Sequence, residues 1–227
     1  NADLRRGRPT VNAVWSNQIA VLTGDYLFAK AFTLLADTGN NRVVRLMSEV
    51  VREMSQGELA QIASYFDVDQ TEEQYYRRIA QKTGYLIAEA CRLGAVMAGA
   101  GEEQVRAVYD YGMGVGLSFQ IADDLLDFFG DERTVGKPVC GDLKIGILTL
   151  PVIHALSHAP RRAELRELIL TRSIDDAAVA RVKEILTEAG SFDYARQKAR
   201  EHIDQAVRAL DLVPTLVTRP ALKTLAD

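Results

Sequence analysis

Apolar residues recur with helical spacing through most of the 227-residue chain. The clearest stripe lies in the segment that begins at Glu102, where spacings of i, i+4, i+7, i+11, i+14 and i+18 place its members on one helix face. They are Val108, Gly112, Val115, Phe119, Ala122 and Leu126. Rougher stripes predict helices at about residues 16–36, 42–65, 72–98, 147–157 and 175–212. Because no segment alternates convincingly like a strand, we expect residues 1–227 to form one all-α domain.

The residues between these stripes also favour helices. Thr71 is followed by Glu72 and Glu73, which is typical of an N-cap with acidic residues in the first turn. A polar loop is predicted at 130–142, with three glycines and a proline. Long loops in compact domains are often functional, so this one is a candidate part of a site.

Composition narrows the class of protein. The chain is 48% hydrophobic and 26% charged, with 27 basic and 31 acidic residues and a net charge of −4. This balance is globular, and it disfavours nucleic-acid binding through a basic surface. No uninterrupted apolar run has the length of a membrane span, and the longest lies near Leu93–Ala100. We therefore expect no transmembrane segment. Because the only cysteines are Cys91 and Cys140, we also expect no disulfide framework and a cytoplasmic location.

The end of the long predicted helix concentrates acidic residues on one face. At about 100° per residue, five polar side chains share an arc of roughly 100°: Gln120, Asp123, Asp124, Asp127 and Asp131. Like charges at i,i+4 repel, and acids near a helix C-terminus interact badly with the helix dipole. A bound cation would offset both effects. The alternative is a solvated acidic face, which the apolar residues between the acids disfavour: Leu125, Leu126, Phe128 and Phe129.

The donor types indicate which cation. Oxygen donors without cysteine or histidine favour Mg²⁺ or Ca²⁺ over zinc, and the spacing differs from the twelve-residue calcium loop. Mg²⁺ held by a few carboxylates usually completes its shell with water and substrate phosphates. A phosphate site also needs cationic groups, for which the candidates are the Arg5-Arg6-Gly-Arg8 segment, Lys82 with Thr83, and Lys137 in the glycine-rich loop. Taken singly, each is also consistent with ordinary surface.

Two other patterns carry less weight. Gly112, Gly114 and Gly116 do not follow a strand, so they are interpreted as positions of close helix packing rather than a dinucleotide fingerprint. His154 and His158 have i,i+4 metal spacing, but Ala155 stands where a zinc protease has its glutamate.

Together these segments resemble the trans-isoprenyl diphosphate synthases, or polyprenyl synthetases. Residues 116–131, followed by Gly136-Lys137-Pro138 and by 141–151, are similar to the second aspartate-rich motif of that family. Arg5-Arg6-Gly-Arg8-Pro9 resembles the paired arginines that follow its first aspartate-rich motif. Segments 24–27, 57–61 and 75–83 also match in order, so the likeness covers nearly the whole chain.

The resemblance implies a bundle of long helices around a deep central cavity, usually in a homodimer. It also implies a reaction in which isopentenyl diphosphate condenses with an allylic diphosphate in trans geometry, with Mg²⁺ on the allylic diphosphate. By matching position, Asp123 and Asp124 are expected metal ligands, assisted by Asp127. The expected contacts to the allylic diphosphate are Gln120, Lys82, Thr83, Lys137 and Arg5, and Arg6 is expected to contact isopentenyl diphosphate.

The chain departs from the family pattern in two ways. Ile147 stands where many members have a second lysine, and the first aspartate-rich motif is missing, since its last aspartate would lie just before Asn1. We therefore expect an amino-terminally trimmed synthase that lacks activity on its own, although its parent is active. The residues that set product length would lie upstream, and the Gly146–Pro151 segment favours a medium- or long-chain product only by analogy.

Two other functions stay open at this point. A class I terpene cyclase would share the fold and the diphosphate chemistry, but generally carries serine or threonine and then glutamate where this chain has Asp127 and Asp131. A non-catalytic partner subunit of a heteromeric synthase would not need Asp123 and Asp124.

Overall fold

The computed structural model describes residues 3–5, 7–129, 140–213 and 219–226, which are almost entirely helical. Two short strands, β1 (Leu4–Arg5) and β2 (Arg8–Pro9), pair in antiparallel fashion before the helices begin. The helices are α1 (Val11–Val14), α2 (Asn17–Asp37), α3 (Asn41–Ala63), α4 (Glu72–Ile79), α5 (Tyr85–Met97), α6 (Glu102–Phe129), α7 (Gly141–Lys144), α8 (Leu150–His158), α9 (Arg162–Leu170), α10 (Asp176–Glu188), α11 (Ser191–Ala209) and α12 (Arg219–Ala226). A π-helical turn, Ala80–Gly84, joins α4 to α5, and a 3-10 turn, Leu210–Leu212, follows α11.

Local side-chain chemistry fixes several helix starts. The predicted cap at Thr71 is confirmed: its hydroxyl accepts a hydrogen bond from the Gln74 amide, while the Gln74 side chain accepts one from the Thr71 amide. This reciprocal capping box satisfies two backbone donors that a helix start otherwise leaves unpaired. The side chains of Ser16, Asn40 and Asp175 cap α2, α3 and α10 in the simpler, one-sided way.

Helix α6 is the central element, and its glycines allow neighbouring backbones to touch it. A Cβ on Gly112 would lie 2.7 Å from the Ala88 Cα of α5, and one on Gly114 would lie 2.7 Å from the His202 carbonyl oxygen of α11. The interpretation of these glycines as packing positions is therefore confirmed. The main core lies between the second half of α6 and helices α8 to α11, and includes the fully buried Phe128, Leu150 and Ile185.

Three predictions about the elements need correction. The helix expected over 175–212 is two helices, because Gly190 adopts a left-handed φ of +64° and ends α10. Helix α9 was not predicted at all. The helix expected over 72–98 is interrupted by the π-helical turn, and the spacing of apolar residues in the sequence does not predict this turn.

Helix α2 stands apart because none of its residues is buried. Its apolar side chains include Leu22 at 65% and Leu27 at 62% exposure. With a mean hydropathy of 1.5, it is long and apolar enough to cross a membrane, contrary to what the short apolar runs of the sequence indicate. A core helix of a soluble protein passes the same test, so one such helix does not establish a span.

Candidate active site

The three aspartates expected to bind metal lie in the last turns of α6 and differ in burial. Asp123 is exposed, Asp127 is half-buried and Asp124 is buried, with 5% of its surface accessible. The difference follows from helical geometry, since residues one apart point about 100° away from each other. Asp124 therefore faces α4, whereas Asp123 lies on the same exposed side as Phe119 and Leu126.

Asp124 is the centre of a buried hydrogen-bond network. The Tyr75 hydroxyl donates to its Oδ2 at 2.7 Å, and the Gln120 Nε2 donates to its Oδ1 at 2.9 Å. The Thr83 hydroxyl in turn donates to the Gln120 Oε1 at 2.7 Å. Burial raises the pKa of Asp124 to about 7, although the hydrogen bonds from Gln120 and Tyr75 act to lower it. The same burial raises the pKa of Tyr75 well above 10.

Asp127 ties the helix end to the start of α7. Its two carboxylate oxygens accept hydrogen bonds from the amides of Gly141 (3.1 Å) and Asp142 (3.2 Å), and its carbonyl accepts one from the Cys140 amide. A carboxylate beside the first amides of a short helix is stabilised by them. In this arrangement Asp127 positions the backbone that follows the glycine-rich loop.

Lys82 and Thr83 lie in the π-helical turn. Such turns contain one residue more than an α-helical turn and are often found at functional sites. While Thr83 reaches Gln120 on α6, the Lys82 Nζ reaches the other way, 3.2 Å from the Gln61 Oε1 and 3.9 Å from a Glu58 carboxylate oxygen on α3. The two residues therefore connect α3 and α6, and the Lys82 side chain remains about one-third exposed.

Within the described ranges, no three histidine, cysteine, aspartate or glutamate side chains converge as a complete metal site. Asp124 points its oxygens at Tyr75 and Gln120, and Asp127 points its own at backbone amides. The donors nevertheless fit Mg²⁺ in kind, because this ion takes one or two carboxylates and fills its remaining positions with water and phosphate oxygens. A cation would also oppose the unfavourable burial of the Asp124 charge.

Comparison with known proteins identifies the fold and its family. A profile of the polyprenyl synthetase family matches residues 1–188. Heptaprenyl diphosphate synthase component 2 from Geobacillus stearothermophilus is 41% identical over 226 residues, which cover 100% of this chain and 70% of the relative. The chain belongs to the polyprenyl synthetase family. It is accordingly an enzyme of the trans-prenyltransferase class, and the predicted all-α isoprenoid-synthase fold is confirmed.

Solved structures of polyprenyl synthetases superimpose closely on the chain. A decaprenyl diphosphate synthase from Rhodobacter capsulatus matches with a TM-score of 0.92 and 37% identity, covering 100% of this chain and 70% of its own. A polyprenyl synthase from Caulobacter crescentus, complexed with calcium and isoprenyl diphosphate, matches with a TM-score of 0.91 and 34% identity over 99% of this chain and 69% of its own.

The polyprenyl synthetase structure does not bring every predicted residue together. Arg5 lies on the exposed strand β1 and pairs with Arg8 through the backbone, while its side chain makes no hydrogen bond or ion pair among the described residues. Arg6 and Lys137, predicted to contact isopentenyl diphosphate and the allylic diphosphate, lie outside the described residues, as does Asp131. Among the described residues, three that the family resemblance predicts for the site are joined by hydrogen bonds: Asp124, Gln120 and Thr83.

Sequence reasoning missed two residues behind Asp124. Tyr75 is fully buried against it, and the neighbouring Arg78 is 5% exposed. The two residues lie one turn apart on the short, charged helix α4. In the sequence they are a tyrosine and an arginine of a predicted amphipathic helix, and this pattern does not indicate a role beside Asp124. Asp142 was also not singled out, although its charge acts to raise the pKa of Asp124.

The two histidines with metal spacing have a structural role. The His154 ring stacks between those of His158 and Tyr194, with centroid distances of 4.6 and 4.2 Å. The His154 Nδ1 lies 2.9 Å from the hydroxyl of the buried Ser191. This arrangement joins α8 to α11.

Proposed function

We propose that this polyprenyl synthetase catalyses the Mg²⁺-dependent condensation of isopentenyl diphosphate with an allylic diphosphate, giving a longer trans-polyprenyl diphosphate. The observation that carries the proposal is the buried Asp124 network, which joins an aspartate-rich helix end to Thr83 and Gln120. Buried carboxylates are rare unless they are paired or bind a metal, and the described residues that donate hydrogen bonds to the Asp124 carboxylate, Tyr75 and Gln120, are both neutral.

The proposed roles of the residues follow from their chemistry. Asp123 and Asp124 would hold Mg²⁺, with Asp127 assisting, and the ion when bound neutralises charge on the diphosphate. Lys82, Thr83 and Gln120 would bind the allylic diphosphate, and Arg5 and Lys137 would add positive charge to the same group. Arg6 would bind isopentenyl diphosphate. Preorganised donors of this kind stabilise charge that develops on a leaving group, typically by on the order of 2–4 kcal/mol each.

The apolar surfaces beside this site suit a reaction through an allylic carbocation. Leu86 on α5 and Phe119 and Leu126 on α6 are all exposed large apolar side chains. Side chains of this kind would exclude water that could otherwise capture the cation. The described histidines lie on α8 and α11, engaged with Ser191, Tyr194 and Tyr76. We therefore assign the final proton transfer to the departing pyrophosphate rather than to an imidazole.

We propose a medium- or long-chain product. The relatives named above are a heptaprenyl and a decaprenyl diphosphate synthase, which supports this choice. We also propose a cytoplasmic location and a homodimer. The homodimer is supported by α2, where apolar side chains such as Val21 and Leu22 are more than three-fifths exposed. Several neighbouring exposed apolar side chains are typical of a protein–protein contact.

A second candidate function is that of one subunit in a heteromeric synthase. The name of the Geobacillus relative, a component 2, favours it. In that case α2 would meet a different chain, and the catalytic residues would still be those of this chain.

Product analysis of the complete gene product tests the proposal. Radiolabelled isopentenyl diphosphate is supplied with geranyl or farnesyl diphosphate, with and without Mg²⁺. We expect a Mg²⁺-dependent ladder of products that ends at one chain length. Elongation that appears only after a second protein is added would identify the heteromeric form, and the absence of elongation under both conditions would contradict the proposal.

A further inference from the structure

The guanidinium of Arg78 is buried without a carboxylate in hydrogen-bond contact among the described residues. Its Nη1 donates to the Gln70 Oε1 at 3.0 Å and to the Ser64 hydroxyl at 3.3 Å, and its Nη2 donates to the Leu148 carbonyl at 2.7 Å. All three acceptors are neutral. A buried charge of this kind is costly unless another charge lies near enough to compensate it.

The compensating charge is that of Asp124, and Tyr75 contacts both residues. The Arg78 Cζ is 5.4 Å from the centre of the Tyr75 ring, and the hydroxyl of that ring donates to Asp124. Burial lowers the pKa of Arg78, and the carboxylate that opposes this effect most is Asp124, with a smaller contribution from Asp142. The Arg78 guanidinium thus lies near the Tyr75 ring, and the Asp124 carboxylate accepts the hydrogen bond of the Tyr75 hydroxyl, with all three residues at most 5% exposed.

We propose that Tyr75 and Arg78 are positioning residues for the metal–diphosphate site, with Arg78 holding the ring of Tyr75 and the Tyr75 hydroxyl holding the Asp124 carboxylate. This inference rests on the proposed function. Neither residue touches the substrate in this arrangement, since both act through Asp124.

The geometry explains why the hydroxyl matters. Tyr75 and Gln120 each hold one oxygen of Asp124, from two different helices, and together they fix the plane of the carboxylate. A carboxylate oxygen accepts more than one contact, so each oxygen keeps capacity for a cation. Without the Tyr75 hydroxyl, the Asp124 carboxylate can rotate about its side-chain bonds. Binding a cation then also requires the carboxylate to become ordered, which weakens the affinity. Partners of metal ligands typically contribute tenfold to hundredfold to metal affinity.

The Arg78 contact to Leu148 extends the same unit to the chain that follows α7. Because Leu148 is fully buried and Asp127 holds the amides of Gly141 and Asp142, both ends of that segment are fixed to the aspartate-rich helix end or to its support. Arg78 therefore fixes the position of α4 relative to this segment, on the side of α4 that contacts Asp124.

The test measures binding of Mn²⁺ in the presence of inorganic pyrophosphate, with free Mn²⁺ followed by electron paramagnetic resonance. The variant Tyr75→Phe keeps the buried ring and removes only the hydroxyl. We expect its Mn²⁺ dissociation constant to rise about tenfold or more. The matched control is Tyr111→Phe, because Tyr111 is equally buried and donates to the Leu222 carbonyl at 2.7 Å, far from Asp124 in the fold. This control should change the constant less than about twofold.

The outcomes separate the inference from the proposed function. If the wild-type protein shows no pyrophosphate-dependent Mn²⁺ binding, the proposed function fails. If the wild type binds and Tyr75→Phe binds equally well, only the positioning role is overturned. Equal weakening in Tyr75→Phe and Tyr111→Phe overturns it too, because it would show a general loosening of the fold.

A second pair of variants tests the charge of Arg78. Arg78→Met removes it, and Arg78→Lys keeps it with fewer donors. We expect Arg78→Lys to recover most of the Mn²⁺ affinity that Arg78→Met loses. Equal affinities in the two variants would overturn the electrostatic part of the proposal, and an Arg78→Met protein that does not fold leaves the decision to Tyr75→Phe.

Discussion

The backbones of Gly84 and Gly116 are in direct contact, such that a Cβ added to Gly116 would lie 2.7 Å from the Gly84 Cα. The contact joins the π-helical turn to α6. It lies next to Thr83 and one helical turn before Gln120, whose side chains hydrogen-bond to each other. Close packing of two small residues thus sets the distance across which the Asp124 network forms.

Gly116→Ala should therefore disturb both stability and the site. The added methyl meets backbone rather than a flexible side chain, so the helices must separate. Overpacking of this kind typically costs about 1–3 kcal/mol. Chemical denaturation measures the loss, and the activity of the complete gene product should fall along with its stability. In Gly94→Ala the new methyl meets nothing within 4 Å. That control should be neutral or should gain about 0.5–1 kcal/mol from better helix propensity.

Gly146→Ala should be more damaging still. Gly146 has a φ of +88°, and a Cβ there would lie 2.4 Å from the Phe66 ring. The Gly146 carbonyl also accepts the Phe66 amide at 2.8 Å, so neither residue can move freely. We expect a loss of about 2 kcal/mol or more in the free energy of unfolding. Gly39→Ala separates the two causes, since Gly39 has a φ of +65° but open space around it. Equal losses in the two variants would contradict a steric role for Phe66.

Asp124→Asn should remove catalysis while the protein stays folded. The amide keeps the size of the carboxylate but loses the charge that would hold a cation. Loss of such an electrostatic contact costs on the order of 2–4 kcal/mol, or about 10²–10³ in kcat. Steady-state kinetics and circular dichroism of the complete gene product measure the two properties. Asp110→Asn on the exposed face of the same helix is the control, and it should retain full activity. Turnover by Asp124→Asn close to that of Asp110→Asn would contradict the assignment.

The raised pKa of Asp124 also predicts how stability depends on pH without divalent cations. Burial raises this pKa from an ordinary value near 3.8 to about 7. Between those values the folded protein binds a proton that the unfolded chain has released, so the free energy of unfolding falls as the pH rises through this range. Each pKa unit corresponds to about 1.4 kcal/mol.

Asp124→Asn carries no titratable group at this position and should lack that fall. Urea denaturation of both proteins at about pH 5 and about pH 7.5 measures the difference. The wild type should lose stability relative to the variant at the higher pH, and Mg²⁺ with pyrophosphate should restore part of it. Parallel changes in the two proteins would show that Asp124 is not the group responsible.

Much of the fold could be predicted from the sequence because it depends on local patterns. The stripe from Val108 to Leu126 lies on one long helix, and the cap at Thr71 forms as its neighbours indicate. The glycines at 112, 114 and 116 pack against other backbones as interpreted. The break at Gly190 was missed because both flanking segments have helical periodicity, and only the left-handed backbone of this one residue separates them.

The site was less predictable because its key contacts join distant parts of the chain. Asp124, Gln120 and Thr83 were named from spacing and from resemblance to the family, and the structure brings these three together. Tyr75 is 49 positions from Asp124, and no periodic pattern links them. Nor did the sequence distinguish the buried Asp124 from the exposed Asp123, since that difference depends on where α4 packs.

The π-helical turn at Ala80–Gly84 changes the phase of the helix that contains it. One extra residue rotates everything after it by about 100° relative to a continuous α-helix. Tyr75 and Lys82 are seven residues apart and would otherwise lie nearly on the same side. Because of this rotation, one helical segment carries the buried Tyr75, which supports Asp124, and two turns later the partly exposed side chain of Lys82. A single-residue deletion within 80–84 would therefore remove the π-helical turn and leave α4 and α5 facing the same neighbours as before.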